Sequence, residues 1–337
     1  MRKLIVAVAL LLGLIFIFAR RSELQAIWET LQNGDLRFLL IALLVQGVWL
    51  FNVAASYRVI YRLLGIEEKM ERLLVLSAAA NFVNVVAPSV GMGGVAIFIS
   101  EARRREYSSA RVTVAGVLYV LFEYVGFLCV LSLGLLVLFR RNHLTTAEIV
   151  ASSILVLVAL GLALMLYLGM HSGEELGRLL AALARLVNAL MRPFIHRDYL
   201  SQDRAHTFAH DAACGLRELR MERANLAVPV LLSLSNKSLL VLVLFLVFLA
   251  FQVPFSIGTL IAGFSIGYLF MIVSPTPAGI GVVEGALTLG LNSLQVPLGA
   301  AAVLALVYRG VTFWIPMLFG MVAFRWLSEG EAVQGEV

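Results

Sequence analysis

The sequence predicts an all-α polytopic membrane protein, with about six full spans and two re-entrant hairpins of broken helix. Composition is the first ground. Of 337 residues, 61% are hydrophobic and 14% charged, with a mean hydropathy of +0.94, whereas soluble domains hold an apolar share of about 45–50%. The second ground is length: apolar runs at 4–19, 36–61, 112–139, 149–170, 226–251 and 297–324 approach or exceed the roughly 20 residues that cross the hydrocarbon layer. The third is a pair of apolar stretches, 73–100 and 255–294, each interrupted midway by Pro and Gly. Irregular backbone is tolerated at membrane depth where protein or a water-lined cavity satisfies the freed N–H and C=O groups.

The run 4–19 follows Met1-Arg2-Lys3, and no small-x-small cleavage site precedes Arg20-Arg21, so it reads as a retained first helix. Span 36–61, the first broken hairpin and spans 112–139 and 149–170 complete a first half, 1–170. A connector, 171–223, carries apolar residues at helical spacing with Arg178, Arg185 and Arg192 on one face. It is expected on the cytoplasmic membrane surface, where those arginines meet either anionic headgroups or solvent. The second half, 224–337, repeats the order of span, broken hairpin, span within one transmembrane domain.

Basic residues set the orientation, because Lys and Arg are retained in the cytoplasm. Arg2, Lys3 and the basic residues of 62–72, 103–111 and 178–223 fall on one side, against Arg20, Arg21, Arg37, Arg140 and Arg141 on the other. The expectation is a cytoplasmic N-terminus in the plasma (inner) membrane of a prokaryote. The two broken hairpins then enter from opposite sides, as in an inverted repeat, and 86–95 can be laid beside 273–282, the one interrupted by Pro88, Gly91 and Gly94 and the other by Pro275, Pro277, Gly279 and Gly281. Paired Gly/Pro-interrupted segments point to a transporter's central site.

Four ionisable residues stand inside apolar segments: Glu123, Lys237, Glu284 and Arg309. An unpaired charge at the bilayer centre costs at least about 2.5–3.5 kcal/mol, so these four should face inward and find one another. One reading makes them packing ion pairs. The other makes them a site, in which Arg309 clamps an anion through its guanidinium fork and a half-helix from Gly281 offers N–H groups. With Gly281 as N-cap, Glu284 falls at N3 and can return to the cap N–H. That suits a capping or gating group better than a direct ligand of an anion. Asn81, Asn84 and Ser89, with Asn52 and Asn236, either line the facing half of the cavity or bond between helices. Gly263-x-x-x-Gly267 reads as close helix packing.

Other chemistries find little footing. His206 and His210, with Asp203 and Asp211, have a metal-like spacing, but a solvated helix face accounts for them and no metal is expected. Cys129 and Cys214 imply no disulfide framework. Motifs for nucleotide-driven transport, for serine hydrolases and for zinc proteases are absent. No cofactor, nucleic-acid partner or enzymatic activity is expected.

The residues 275–284, then Leu306-Val307-Tyr308-Arg309-Gly310-Val311-Thr312-Phe313-Trp314-Ile315-Pro316 and Gly320, resemble the end of the flippase-like transmembrane domain of lysylphosphatidylglycerol synthases. Upstream, 84–91 with Gly93 and Gly94, and Leu121-Phe122-Glu123-Tyr124, are similar too. The resemblance covers nearly the whole chain. It implies a bundle with re-entrant helices that moves a phospholipid or lipid-linked anionic headgroup between leaflets, with Glu284, Arg309 and Glu123 at polar family positions. Ala278 stands where the family commonly has Gly. As no soluble catalytic domain follows 337, the lipid is expected from a separate enzyme. Two alternatives stay open: a secondary transporter of a small soluble anion, and a structural or partner-binding membrane subunit.

Overall fold

A computed structural model describes residues 34–86, 93–105, 107–142, 144–172, 174–179, 181–182, 226–274 and 276–334. The described chain is helical throughout: α1 (Leu36–Leu63), α2 (Met70–Val86), α3 (Val95–Arg104), α4 (Ser109–Arg140), α5 (Thr146–His171), α6 (Ala227–Ala250), α7 (Ile257–Val273), α8 (Val282–Ser293), α9 (Leu298–Arg309) and α10 (Ile315–Gln334). Polar caps start several of them. Asp35 accepts from the Arg37 N–H, Ser108 from Arg111 and Ser256 from Thr259, while Thr145 and Glu148 form a capping box on α5. Such caps supply partners that the first turn lacks.

Five segments are long and apolar enough to cross a membrane: Leu36–Leu63, Ser109–Arg140, Thr146–His171, Ala227–Ala250 and Leu298–Ser328. They coincide with five of the six runs expected from sequence; the sixth, 4–19, lies outside the described residues. The two interrupted stretches are the helical hairpins α2–α3 and α7–α8. Their first arms are both 17 residues long. Val86 and Val273 end those arms, and Val95 and Val282 begin the second arms, all at one constant offset in sequence.

Packing repeats the equivalence. Helices α1 and α6 run antiparallel, since the Asp35 N–H donates to the Ala250 carbonyl (2.8 Å) at one end, and Asn52 Nδ2 donates to Leu232 O (3.0 Å) and Asn236 Oδ1 (2.8 Å) midway. Helix α2 lies against α10, and α7 lies against α4, so each broken hairpin packs on the span that follows the other half's hairpin. Small residues permit both approaches. A Cβ at Gly320 would stand 2.5 Å from the Ala78 carbonyl oxygen, and one at Gly134 would stand 2.3 Å from Ser265 Oγ. Within the second hairpin, Gly263 and Gly267 face Leu291 and Leu287, which is the close packing the sequence predicts.

The hairpins open toward opposite ends of the bundle. At one end Arg72 bridges the start of α2 to Glu101 in α3 (2.8 Å), and Arg111 of α4 reaches the Leu64 carbonyl. At the other, Arg141 after α4 donates to Ser256 Oγ before α7 (2.9 Å). The second break therefore lies between the ends, where α2 contacts the turn at 277–279. Leu176, at the start of the polar connector, is buried in the apolar cluster of α1, α2, α3 and α4; residues 183–225, including His206 and His210, lie outside the described residues.

Candidate functional site: a cavity between the two breaks

A cavity of about 440 Å³ occupies the middle of the bundle. Asn81, Asn84 and Val85 of α2 form one wall, and Ser274, Thr276 and Ala278 of the second break form another. Trp49 of α1, Tyr119, Glu123 and Tyr124 of α4, Tyr268 of α7 and Arg309 of α9 complete most of its polar and aromatic surface. The second break and the first arm of the other hairpin thus border one space.

The residues flanking the two breaks are fastened differently. At the first, the Gly94 N–H donates to Asn84 Oδ1 (2.6 Å). At the second, the Gly281 N–H donates to Glu284 Oε2 (2.7 Å), which is the N3 return expected from sequence. Gly279 and Gly281 hold φ of 73° and 83°, a region glycine enters without a Cβ penalty. Ala278 is also left-handed, at φ 49° and ψ 23°. That conformation supplies the physical reason a glycine suits its position. Pro277 opens this turn. Pro88, Ser89, Gly91 and Pro275 lie outside the described residues.

The four intramembrane charges form two separate pairs. Lys237 is fully buried; its ammonium donates to Glu123 Oε2 and to the Tyr268 hydroxyl (2.6 Å). Asn236 Nδ2 donates to Glu123 Oε1 (2.8 Å), and Asn52 donates in turn to Asn236. Asn52 and Asn236 are therefore interhelical links behind the carboxylate, not cavity wall. The second pair joins Arg309 Nε to Glu284 Oε1 (2.9 Å). Arg309 Nη2 also donates to the Ala278 carbonyl (2.9 Å), and the guanidinium carbon sits 4.1 Å from the centroid of Phe313.

Glu123 and Arg309 face the cavity, whereas Lys237 and Glu284 stand behind them as their counter-ions. Each half thus presents one charge from the helix that follows its broken hairpin, neutralised from the rear. Two contributors escape sequence reasoning. Tyr268 carries no signal beyond an apolar aromatic in a helix. The other is a turn of π-helix, Gly310–Trp314, directly after Arg309. Its available signal is Pro316, whose ring would crowd the carbonyl four residues back in a regular helix. The wider turn relieves that crowding, and Thr312 Oγ1 donates to the Tyr308 carbonyl (2.8 Å). Such bulges are frequent at functional sites. Among the described residues, no group of three or more His, Cys, Asp or Glu is placed to hold a metal ion.

Fold and cavity together define a polytopic helical membrane protein organised around two opposed broken hairpins. The chain belongs to the family of the lysylphosphatidylglycerol synthase transmembrane region, whose family model matches residues 4–320. Among curated proteins it is similar to a UPF0104 membrane protein of Methanothermobacter thermautotrophicus, 22% identical over 307 residues, covering 89% of this chain and 88% of the relative. A UPF0104 membrane protein of Methanocaldococcus jannaschii is 21% identical over 322 residues, covering 94% and 93%.

Proposed function

We propose that this protein takes a phosphate-bearing lipid headgroup into the central cavity and passes it between leaflets. In this reading both hairpins re-enter the membrane, from opposite sides, and the end rich in arginine faces the cytoplasm. The observation that carries it is Arg309. It is 3% exposed, yet it stands on the cavity wall, anchored through Nε and one Nη2 proton. A guanidinium has five N–H donors, so the remaining ones are free to meet phosphate oxygens in fork geometry. Family membership agrees with a lipid cargo.

Glu284 acts here as a gate, exchanging its hold on Arg309 when the anion arrives. The test is movement of tail-labelled phosphatidylglycerol in vesicles containing the purified chain, read by chemical quenching of the outer leaflet. Arg309→Gln is expected to lower the rate at least tenfold, with Arg309→Lys intermediate, because an ammonium replaces the charge but not the fork. Equal rates in wild type, both variants and protein-free vesicles would rule the reading out. Rapid movement of a small soluble anion, with none of lipid, would assign the cavity to that cargo instead.

A further inference from the structure

Two carbonyls at matching places in the two halves receive their side-chain hydrogen bonds from different sources. Phe122-Glu123-Tyr124-Val125-Gly126-Phe127 of α4 can be laid beside Tyr308-Arg309-Gly310-Val311-Thr312-Phe313, with the two cavity charges in register. Ser233 of α6 donates to the Phe122 carbonyl (2.5 Å). It comes that close because Gly126 has no side chain, as a Cβ there would stand 2.2 Å from Ser233 Oγ. The matching carbonyl, that of Tyr308, is instead taken by Thr312 Oγ1 (2.8 Å), from the position that Gly126 leaves empty.

The helix equivalent to α6 is α1. Leu63 and Ala250 end the two helices at the same offset that separates Val86 from Val273, and at that offset Gln46 matches Ser233. Helix α1 packs on the π-turn, and Trp49, one turn beyond Gln46, lines the cavity together with Tyr308 and Thr312. Gln46 is 5% exposed, and neither of its amide atoms has a partner. A dry, unsatisfied amide is costly, and in a native structure it calls for a reason.

We infer that Gln46 is a reserve donor for the Tyr308 carbonyl, engaged when an oxyanion in the cavity draws the Thr312 hydroxyl to itself. A hydroxyl has one proton to give, and that of Thr312 stands on the same cavity wall as Arg309. A phosphate oxygen held by Arg309 is a stronger acceptor than a peptide carbonyl, because it is charged. As Thr312 turns toward it, the Gln46 side chain, longer than that of Ser233, takes over the carbonyl. An amide unsatisfied in the empty protein is then satisfied in the occupied one, which favours occupancy through a bond that touches no part of the ligand. Thr312 is thus a binding residue and Gln46 a positioning one. This inference rests on the reading of Arg309 as the anchor of the anion, and a lipid phosphate and a free phosphate share the chemistry.

The full chain, carrying isotope-labelled glutamine and held in detergent, would be titrated with inorganic phosphate and, separately, with a short-chain phosphatidylglycerol. The Gln46 amide signal, assigned by its loss in Gln46→Leu, is expected to move downfield with at least one of them, and which one moves it identifies the source. Thr312→Val should show the moved signal with nothing added, because the carbonyl is then open, whereas Thr312→Ser should behave as the wild type does. Gln46→Leu should bind the effective probe about fivefold more weakly, the factor one net hydrogen bond supplies, yet melt no lower than the wild type when empty. On the Thr312→Val background the same change should leave affinity as it was, since both residues act through one carbonyl. A probe that binds without moving the Gln46 signal would overturn the exchange while leaving the anion reading intact. So would a Thr312→Val signal identical to that of the empty wild type. Failure of both probes to bind would remove the anion reading itself, and this one with it.

Discussion

Lys237 is wholly enclosed, and its neighbours explain how a charge is kept there. Glu123 and Tyr268 take two of its three protons, and the Tyr268 ring lies 4.3 Å from its nitrogen. Breaking a buried pair from one side typically costs about 3–5 kcal/mol, whereas replacing both partners by apolar groups can be neutral. Lys237→Met should therefore unfold well below the wild type in a thermal melt in detergent. Lys237→Met with Glu123→Leu should recover most of the loss; no recovery would show that the pair is not the source of the defect. A smaller effect of opposite sign belongs to Ala278. A left-handed conformation costs an L-residue about 1–2 kcal/mol, partly offset by the greater chain entropy glycine gives up. Ala278→Gly should raise the melting temperature, and a fall would contradict the strain assigned to that φ. At Gly279 the same region allows no side chain, because a Cβ would stand 2.3 Å from Val283 Cγ2.

Among elements, the contact of α2 with α10 ties the first broken hairpin to the opposite half. Gly320 sets its distance, with Phe82 Cβ also 2.9 Å from where its own Cβ would be. Gly320→Val pushes against a backbone carbonyl, which cannot rotate away. Overpacking of this kind costs about 1–3 kcal/mol, so the variant should melt below the wild type, and an unchanged melt would place the two helices farther apart than described. Much at this scale was legible in the sequence. Apolar run lengths located five spans, and Pro and Gly located both breaks, including Glu284 at N3, because caps and breakers are local signals. Which acid meets which base was not legible. Lys237 lies 114 positions from Glu123, and the sequence gives two acids and two bases no preferred pairing. The π-turn escaped for a related reason: a proline inside an apolar run announces a disturbance without specifying its form.

For the molecule as a whole, the repeat was visible as a short alignment of Pro and Gly, but its consequence lies in packing. Equivalent helices cross at Asn52 and Asn236, and each half's hairpin rests on the span that follows the other half's hairpin. Opposite ends of the bundle should therefore face opposite sides of the membrane. Glu67 and Gln252 are exposed at those two ends. After replacement of Cys129 and Cys214, Glu67→Cys and Gln252→Cys in sealed cells should react with an impermeant maleimide from opposite sides, with Gln252→Cys the one labelled from outside. Labelling of both from one side would refute the inverted arrangement.

The fastening of the two breaks carries one more consequence. Asn84 holds one backbone N–H at the first break, that of Gly94, and no charged side chain among the described residues depends on the same oxygen. At the second break one Glu284 carboxylate holds both the Gly281 N–H and the Arg309 guanidinium. Whatever draws Arg309 away therefore also disturbs the carboxylate that caps the second arm, so the second break is tied to the occupancy of the cavity in a way the first is not. Glu284→Gln should accelerate amide exchange at Gly281 while leaving Gly94 as it was, and unchanged rates at both positions would show that the cap does not depend on this carboxylate.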